Sequence, residues 1–266
     1  MQLIIRQFSG TAANGRALPQ QDAMLVASAA QMKLFQQSLL TESDHQHSFA
    51  LPHDITSAQP WLFALADGVS ASPVPATASR LFLQLLVKNW QSGFLAGERL
   101  TSKQLRASQQ QFTRKLAGKA ASFGASTAIA ALEVSAGGFK AINAGDSRIW
   151  RYRQGELVQL SVDHCFAAEL TPQSNQPLAQ CYQALTSYIA ADPEEEDFVV
   201  SVSDGGIDAG DQFLLTTDGI HDVIDPQALA QCLAAGSKGV VALDALLAQT
   251  QFDDNASLIW LSYACY

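Results

Sequence analysis

Twice in this chain an apolar run ends in Asp-Gly. "WLFALADGV" closes at Asp67-Gly68 and "DQFLLTTDGI" at Asp218-Gly219. Runs of this length read as buried strands, and Asp is among the residues least expected at the end of one unless it is paired or holds a cation. Three more aspartates share the setting. Asp22 sits in "QQDAMLV", where a strand begins; Asp146 lies in "NAGDSR" after an apolar segment; Asp254 precedes Asn255 and a further strand. A strand tip fixes a side chain well, and a following glycine lets the backbone turn sharply so that its carbonyl can also face inward. Carboxylate and carbonyl oxygens without His or Cys select hard cations, Mg²⁺ or Mn²⁺, over zinc. Asp-Gly alone is a common turn pair; it is the conjunction of these aspartates that points to a metal centre.

Other chemistries find weaker support. His45, His47 and His53 fall in "TESDHQHSFALPHDITSAQP", residues 41–60, a polar, turn-rich stretch that reads as an exposed insertion. Cys165, Cys181, Cys232 and Cys265 are widely separated and form no C-x-x-C pair, so they read as free thiols and not as a zinc site or disulfide framework. A serine hydrolase could be read into "GDSR", with Ser147 as nucleophile and His221 as base. That block normally opens a chain, however, and "GASTA" fails the G-x-S-x-G elbow because its last position is Ala128.

The elements that must position the aspartates follow from patterning. Strands are expected at 3–8, 22–30 and over "WLFALAD", then helices at about 76–91 and 102–121, the first with Ser70 or Ser72 near its start. From residue 124 strands dominate: "STAIAALEV", "GFKAINAGDS", "RIWRYRQGELVQL" with a hairpin at Gln154-Gly155, and "DQFLLTTDG". Residues 164–187 are less regular, and "ADPEEED" is an acidic loop. Helices return at 226–235 and 239–250, before the strand "NASLIWLSY". Strands in runs and helices in pairs indicate an α+β fold, antiparallel sheets covered by helix pairs.

The 266 residues suit one large domain, or two small ones at a stretch, and 48% hydrophobic content is ample for a sizeable core. No apolar run approaches the ~20 residues of a membrane span, and "MQLIIRQFSG" is too quickly polar for a signal peptide. No membrane association and a cytoplasmic location are therefore expected. The formal charge of −9, with no Lys/Arg cluster in the sequence to offset it, argues against a nucleic-acid partner.

Taken in order, these segments resemble the metal-dependent protein serine/threonine phosphatases of type 2C, particularly the compact bacterial ones. "QQDA", "FALADGVS", "GASTAIAALE", "AINAGDSRIWRYRQGELVQLSVDH", "ALTSYI", "GDQFLLTTDGIHDVI" and "DDNASLIWL" match family motifs over nearly the whole chain. The resemblance implies a single catalytic domain over 1–266, a sandwich of two antiparallel β-sheets flanked by pairs of antiparallel helices, with metals at one end. It implies that Asp67 bridges two Mn²⁺ or Mg²⁺ ions, that Gly68 donates its carbonyl, that Asp218 and Asp254 hold the first ion, and that Asp22 helps hold the second. Asp146 matches a residue used for a third, weaker ion, and 164–187 becomes a flap shaping substrate access. The implied reaction is hydrolysis of phosphoserine and phosphothreonine by direct attack of a metal-bridging hydroxide. Implied partners are phosphorylated proteins and a cognate Ser/Thr kinase or its targets.

The sequence departs from the family at four points. Ala17 stands where a phosphate-binding Arg is usual, leaving the adjacent Arg16 as the substrate-binding candidate. Ser70-Ala71 replaces Gly-Gly, Val69 occupies a position where some members have His, and Ser187 replaces the Arg of Leu-Thr-Arg. These departures leave open an alternative, a catalytically weak or dead phosphatase-like interaction module.

Overall fold

The computed structural model describes residues 2–28, 32–35, 45–50, 60–116, 118–166, 184–194 and 197–262. Six strands form one sheet in the order β4-β1-β13-β12-β8-β9: β4 (His45–Ala50), β1 (Gln2–Phe8), β13 (Ala256–Ser262), β12 (Gln212–Thr216), β8 (Arg148–Arg153) and β9 (Glu156–Gln159). The second sheet runs β11-β7-β6-β5-β2-β3: β11 (Ser201–Gly205), β7 (Gly138–Ala144), β6 (Ser126–Ser135), β5 (Trp61–Gly68), β2 (Ala23–Ser28) and β3 (Met32–Phe35). The short β10 (Ile189–Ala190) pairs with the start of β6. All pairings are antiparallel, so the expected α+β sandwich is what the chain forms.

Helices α1 (Pro75–Leu95) and α2 (Ser102–Leu116) cover the second sheet; α4 (Pro226–Ala234) and α5 (Gly239–Gln249), after the single turn α3 (Asp218–His221), cover the first. Each central strand is thus buried on both faces, which is why it reads as continuously apolar. Alternation decides which neighbour each residue meets. On β5, Leu62, Ala64 and Ala66 face α1 and α2, while Phe63 and Leu65 face the other sheet. On β13, Leu258 and Trp260 face α4 and α5, while Ile259 and Leu261 face inward. Among the described residues no single helix is long and apolar enough to cross a membrane.

Three local expectations are corrected. Part of the 41–60 stretch is regular structure and not turn-rich loop: its residues 45–50 are β4, paired along β1 from Gln2↔Ala50 to Gln7↔His45. Its histidine-rich alternation "HQHSFA" suits an edge strand; the rest of 41–60 before Pro60 lies outside the described residues. Helix α1 has no side-chain cap. It begins at Pro75 behind Val74, whose φ is 52°, because Ser70 donates instead to Gln21 Oε1 at 2.8 Å and Ser72 to the Ser126 carbonyl at 3.5 Å. Helix α2 stops at Leu116, ahead of Gly118 and a short 3-10 turn at Ala120–Ser122. The hairpin at Gln154-Gly155 forms as expected, with φ of 52° and 92°.

Candidate metal centre

The layer between the sheets is apolar along most of its length and turns polar at one end. Met24 and Val26 of β2, Phe63 and Leu65 of β5, Phe213 and Leu215 of β12, and Ile259 and Leu261 of β13 fill it. Two residues further along the same faces come Asp22, Asp67, Thr217 and Ser257. Alternation alone therefore carries two carboxylates and two hydroxyls out of the core at the same end.

Asp22 is fully buried there. Its Oδ2 accepts from Ser257 Oγ at 2.7 Å and Thr217 Oγ1 at 3.2 Å, and its own N–H donates to Gln20 Oε1 at 2.9 Å. Asp67 lies beside it, since Ala23 of β2 pairs with Ala66 of β5. Asp218 and Asp254 arrive from the first sheet, one at the turn after β12 and the other just ahead of β13. Each caps its own loop, Asp218 Oδ1 accepting from Gly219 N and Asp254 Oδ1 from Asn255 N, both at 2.7 Å. Asp146 comes from the turn between β7 and β8. Together Asp67, Gly68, Asp146, Asp218 and Asp254 line a cleft of about 260 Å³, closed by Val69 to Ala71 on one side and Ala184 and Leu185 on another. Asp22 stands behind its floor.

Among the described residues no Lys or Arg lines this cleft, and the electrostatics follow. Burial first, then the charges of Asp218 and Asp254, against the Ser257 hydrogen bond, push Asp22 up to about 8. Burial and the neighbouring Asp22 and Asp218 hold Asp67 well above the carboxylate range. Burial and Asp218 push Asp146 up to about 8; burial raises Asp218 to about 6 against the hydrogen bond from Asp67. Like charges forced together hold protons in place of a countercharge.

The residues fit divalent cations. Asp22 Oδ1 is buried without a hydrogen-bond partner, a rare and costly state for a carboxylate oxygen, and the donor set is oxygen only, as hard cations require. The fit is one of composition and proximity: among the described residues no three His, Cys, Asp or Glu side chains form a ready-made cage.

The two glycines that follow the strand-end aspartates serve differently from expectation. Neither Gly68 nor Gly219 has a positive φ. A Cβ on Gly68 would lie 2.6 Å from the Pro75 carbonyl oxygen, and one on Gly219 would lie 2.2 Å from that of Asn255. Glycine is needed there for close approach of backbones, not for a sharp turn. The glycine that does need its freedom is Gly145, φ 112°, which aims Asp146; a Cβ on it would also meet Ala128 at 2.4 Å.

Arg16 is exposed near the tip of the 9–22 loop and is not part of the cleft wall. The base of that loop packs on the site, with Gly10 against the Asp254 backbone. Ser147 and His221 do not form a dyad. Ser147 Oγ is buried without a partner, whereas His221 Nδ1 engages Thr216 Oγ1 at 2.9 Å, and burial keeps its imidazole neutral.

Of the flap, residues 167–183 lie outside the described residues, but its two ends close on each other through the Cys165↔Leu185 bridge and Thr186 N donating to the His164 carbonyl. His164 Nδ1 accepts from Gly145 N at 3.1 Å and its Nε2 meets Ser201 Oγ at 2.9 Å, which ties the flap base to the Asp146 turn. Asp163 is held by both Arg148 Nε and Nη2. Ser187 accepts from Val199 N at 2.7 Å, a structural use of the position. The supports that the sequence reading passed over are Thr217, Ser257 and Gln20. Their signal was present in alternation: Ser257 is a hydroxyl on a face that otherwise carries Ile259 and Leu261.

A helix-flanked double antiparallel sheet with an oxygen-lined acidic cleft at one end is the protein phosphatase 2C-like fold. Residues 42–246 match the sequence profile of the family described as protein phosphatase 2C, and the chain belongs to that family. That match stops short of Asp22 and Asp254. Solved structures extend the likeness of fold over the whole chain. A serine/threonine phosphatase PstP/Ppp of Mycobacterium tuberculosis is 19% identical with a TM-score of 0.69, covering 100% of both chains. A PstP catalytic domain in complex with two manganese ions is 17% identical, TM-score 0.64, again over 100% of both chains. PppA, a regulatory component of the type VI secretion system in Pseudomonas aeruginosa, is 22% identical, TM-score 0.60, over 76% of this chain and 86% of its own. No curated protein sequence matches.

Proposed function

We propose that the chain is a Mg²⁺- or Mn²⁺-dependent phosphatase acting on phosphoserine and phosphothreonine in proteins. The observation that carries this reading is the group of aspartates from both sheets converging on one cleft with, among the described residues, no basic side chain lining it. Asp67, the Gly68 carbonyl, Asp218 and Asp254 would hold two cations, with Asp22 behind them and Asp146 offering a third, weaker position. Once bound, such cations lower the pKa of water and neutralise charge on the phosphoryl group. That chemistry is needed, because phosphate monoester hydrolysis must be accelerated by up to ~10²¹ and one acid–base side chain supplies only ~10²–10⁴. The carboxylates serve as ligands and not as nucleophiles, so water attacks phosphorus directly and no phosphoryl-enzyme forms. Ser257 and Thr217 fix Asp22, and His164 and Gly145 fix the turn that presents Asp146. Cytoplasmic phosphoproteins, with a cognate kinase or its targets, are the partners this reading implies.

One observation favours a second reading, a phosphatase-like binding module: Arg16, the candidate to grip phosphate, is outside the cleft wall. Hydrolysis of p-nitrophenyl phosphate and a phosphothreonine peptide with Mn²⁺, with Mg²⁺ and with EDTA separates the two. Metal-dependent release abolished by EDTA is the expected result; none from folded protein under any metal would leave the module.

A further inference from the structure

The chain carries a net charge of −9, yet α1 and α2 contain no Asp or Glu at all. Their charged residues are Arg80 and Lys88 on α1 and Lys103, Arg106, Arg114 and Lys115 on α2, every one exposed. The sequence shows no cluster because helical spacing disperses them. Arg80, Gln84 and Lys88 form one outward stripe at i, i+4, i+8, and Lys103, Arg106, Gln110 and Arg114 form another. The helices run antiparallel, with Asn89 donating to Ser108 Oγ at 2.9 Å and accepting from Gln111 at 3.0 Å. That register brings Arg80 level with the end of α2, where Arg114 and Lys115 lie. Among the described residues only Arg106 of this set has an acidic partner, Asp197 at 3.9 Å, and Arg106 also donates to the Phe198 carbonyl.

We propose that this basic face docks the acidic flanks of the phosphoprotein substrate, an inference that rests on the phosphatase reading above. Among the described residues no Lys or Arg lines the cleft, so beyond the metals that would hold the phosphate no side chain there grips an acidic flank. The face begins at the cleft, because Ser70 and Ala71 of the wall lead directly into α1, and Pro75 packs on Gly68. Arg80 stands about 8 Å along α1 from its first residue and Lys88 about 20 Å, at 1.5 Å per residue. An extended peptide advances ~3.3 Å per residue, so acidic residues about three to six positions from the phosphorylated residue reach them. A duplex or an anionic bilayer would have to lie alongside a molecule of net −9, whereas a peptide need touch only the two helices.

The test compares the parent protein with the triple variant Arg80→Glu, Arg114→Glu, Lys115→Glu and its neutral counterpart with Gln at the same positions. The probes are a labelled peptide with one phosphothreonine between runs of glutamate, and a matched peptide with serine flanks. Charge reversal is expected to weaken binding of the Glu-flanked peptide about tenfold at low salt, with an intermediate loss for the Gln variant. KM should rise with kcat unchanged, the serine-flanked peptide and p-nitrophenyl phosphate should be unaffected, and the difference should vanish in concentrated salt. Equal binding of the two peptides by the parent, or unaltered binding by the variants, overturns the proposal. Capture of phosphatidylserine vesicles or duplex DNA by this face in place of the peptide does so as well. Binding is read without turnover, so a parent protein that fails to hydrolyse p-nitrophenyl phosphate with Mn²⁺ sinks the phosphatase reading separately.

Discussion

Sheet two buries carboxylates at both of its ends, and the two ends treat them oppositely. At the end away from the cleft, Glu133 on β6 is 1% exposed and fully met: Arg99 Nε at 2.6 Å, Trp90 Nε1 at 2.7 Å and Leu100 N at 2.7 Å all donate to it. At the cleft end, Asp22 has two hydroxyls on one oxygen, nothing on the other, and further carboxylates as neighbours. The same type of group is a fastener in one place and an unmet demand in the other. A buried acid that serves structure is matched within the chain; one left unmatched among its own kind is what the cations of the proposed function would meet.

The largest expected effect breaks the cleft end. Asp67→Asn and Asp218→Asn should each lower kcat on p-nitrophenyl phosphate with Mn²⁺ by at least about 10³, with circular dichroism unchanged. Near-parental rates in either variant would remove the cluster from the chemistry. Next comes the matched end: Glu133→Ala leaves the buried Trp90 Nε1–H and Leu100 N–H without acceptors and takes the Arg99 ion pair away, and should cost about 3 kcal/mol in denaturant unfolding while leaving kcat within about twofold. A large loss of kcat there would erase the contrast.

A pH series sharpens the comparison further. Asp22 is raised from the ordinary 3.8 to about 8 on folding, so below pH 4 it is protonated in both states and costs nothing. Between about 4 and 8 the unfolded chain releases this proton and the folded chain retains it. Stability of metal-free protein therefore falls as pH rises, by up to about 1.4 kcal/mol per pH unit for each such group. Asp22→Asn should flatten that slope in thermal melts, and Mn²⁺ should do likewise; a parental slope in the variant would contradict the unmatched state. The smallest effect is a control on the glycines. Gly155→Ala, in open space but at φ 92°, should cost about 1 kcal/mol with normal activity, whereas Gly68→Ala, facing a 2.6 Å clash, should cost more and lose activity.

The positions of Asp22 and Asp67 were legible because each stands at the end of a continuously apolar run. The sheets and helix pairs were legible because strands come in runs bounded by glycine turns and helices in pairs of apolar 3.6-residue spacing. What was not legible depends on partners distant in sequence. Gly68 and Gly219 looked like turn residues, since their true constraint is the backbone of Pro75 and of Asn255. Residues 45–50 looked like loop because an edge strand needs β1 beside it and little apolar character of its own. The basic face escaped notice because six cations over two helices become one surface only when α1 and α2 pack. Ser257 and Thr217 were visible as polar residues in apolar alternation, but which carboxylate they serve is a tertiary fact.

The pairing of β1 with β13 joins Gln2 to Ser262 and Phe8 to Ala256. A ribosome makes β13 after every other strand described here, at ~5–20 residues per second. Until it emerges, β1 and β12 have a vacant lane between them, Ser257 is not there to hold Asp22, and Asp254 is missing from the cleft. The nascent chain can bury its second sheet beneath α1 and α2 while still unable to assemble the acidic centre. Assembly of the acidic centre therefore waits on the insertion of a single strand, β13, between β1 and β12.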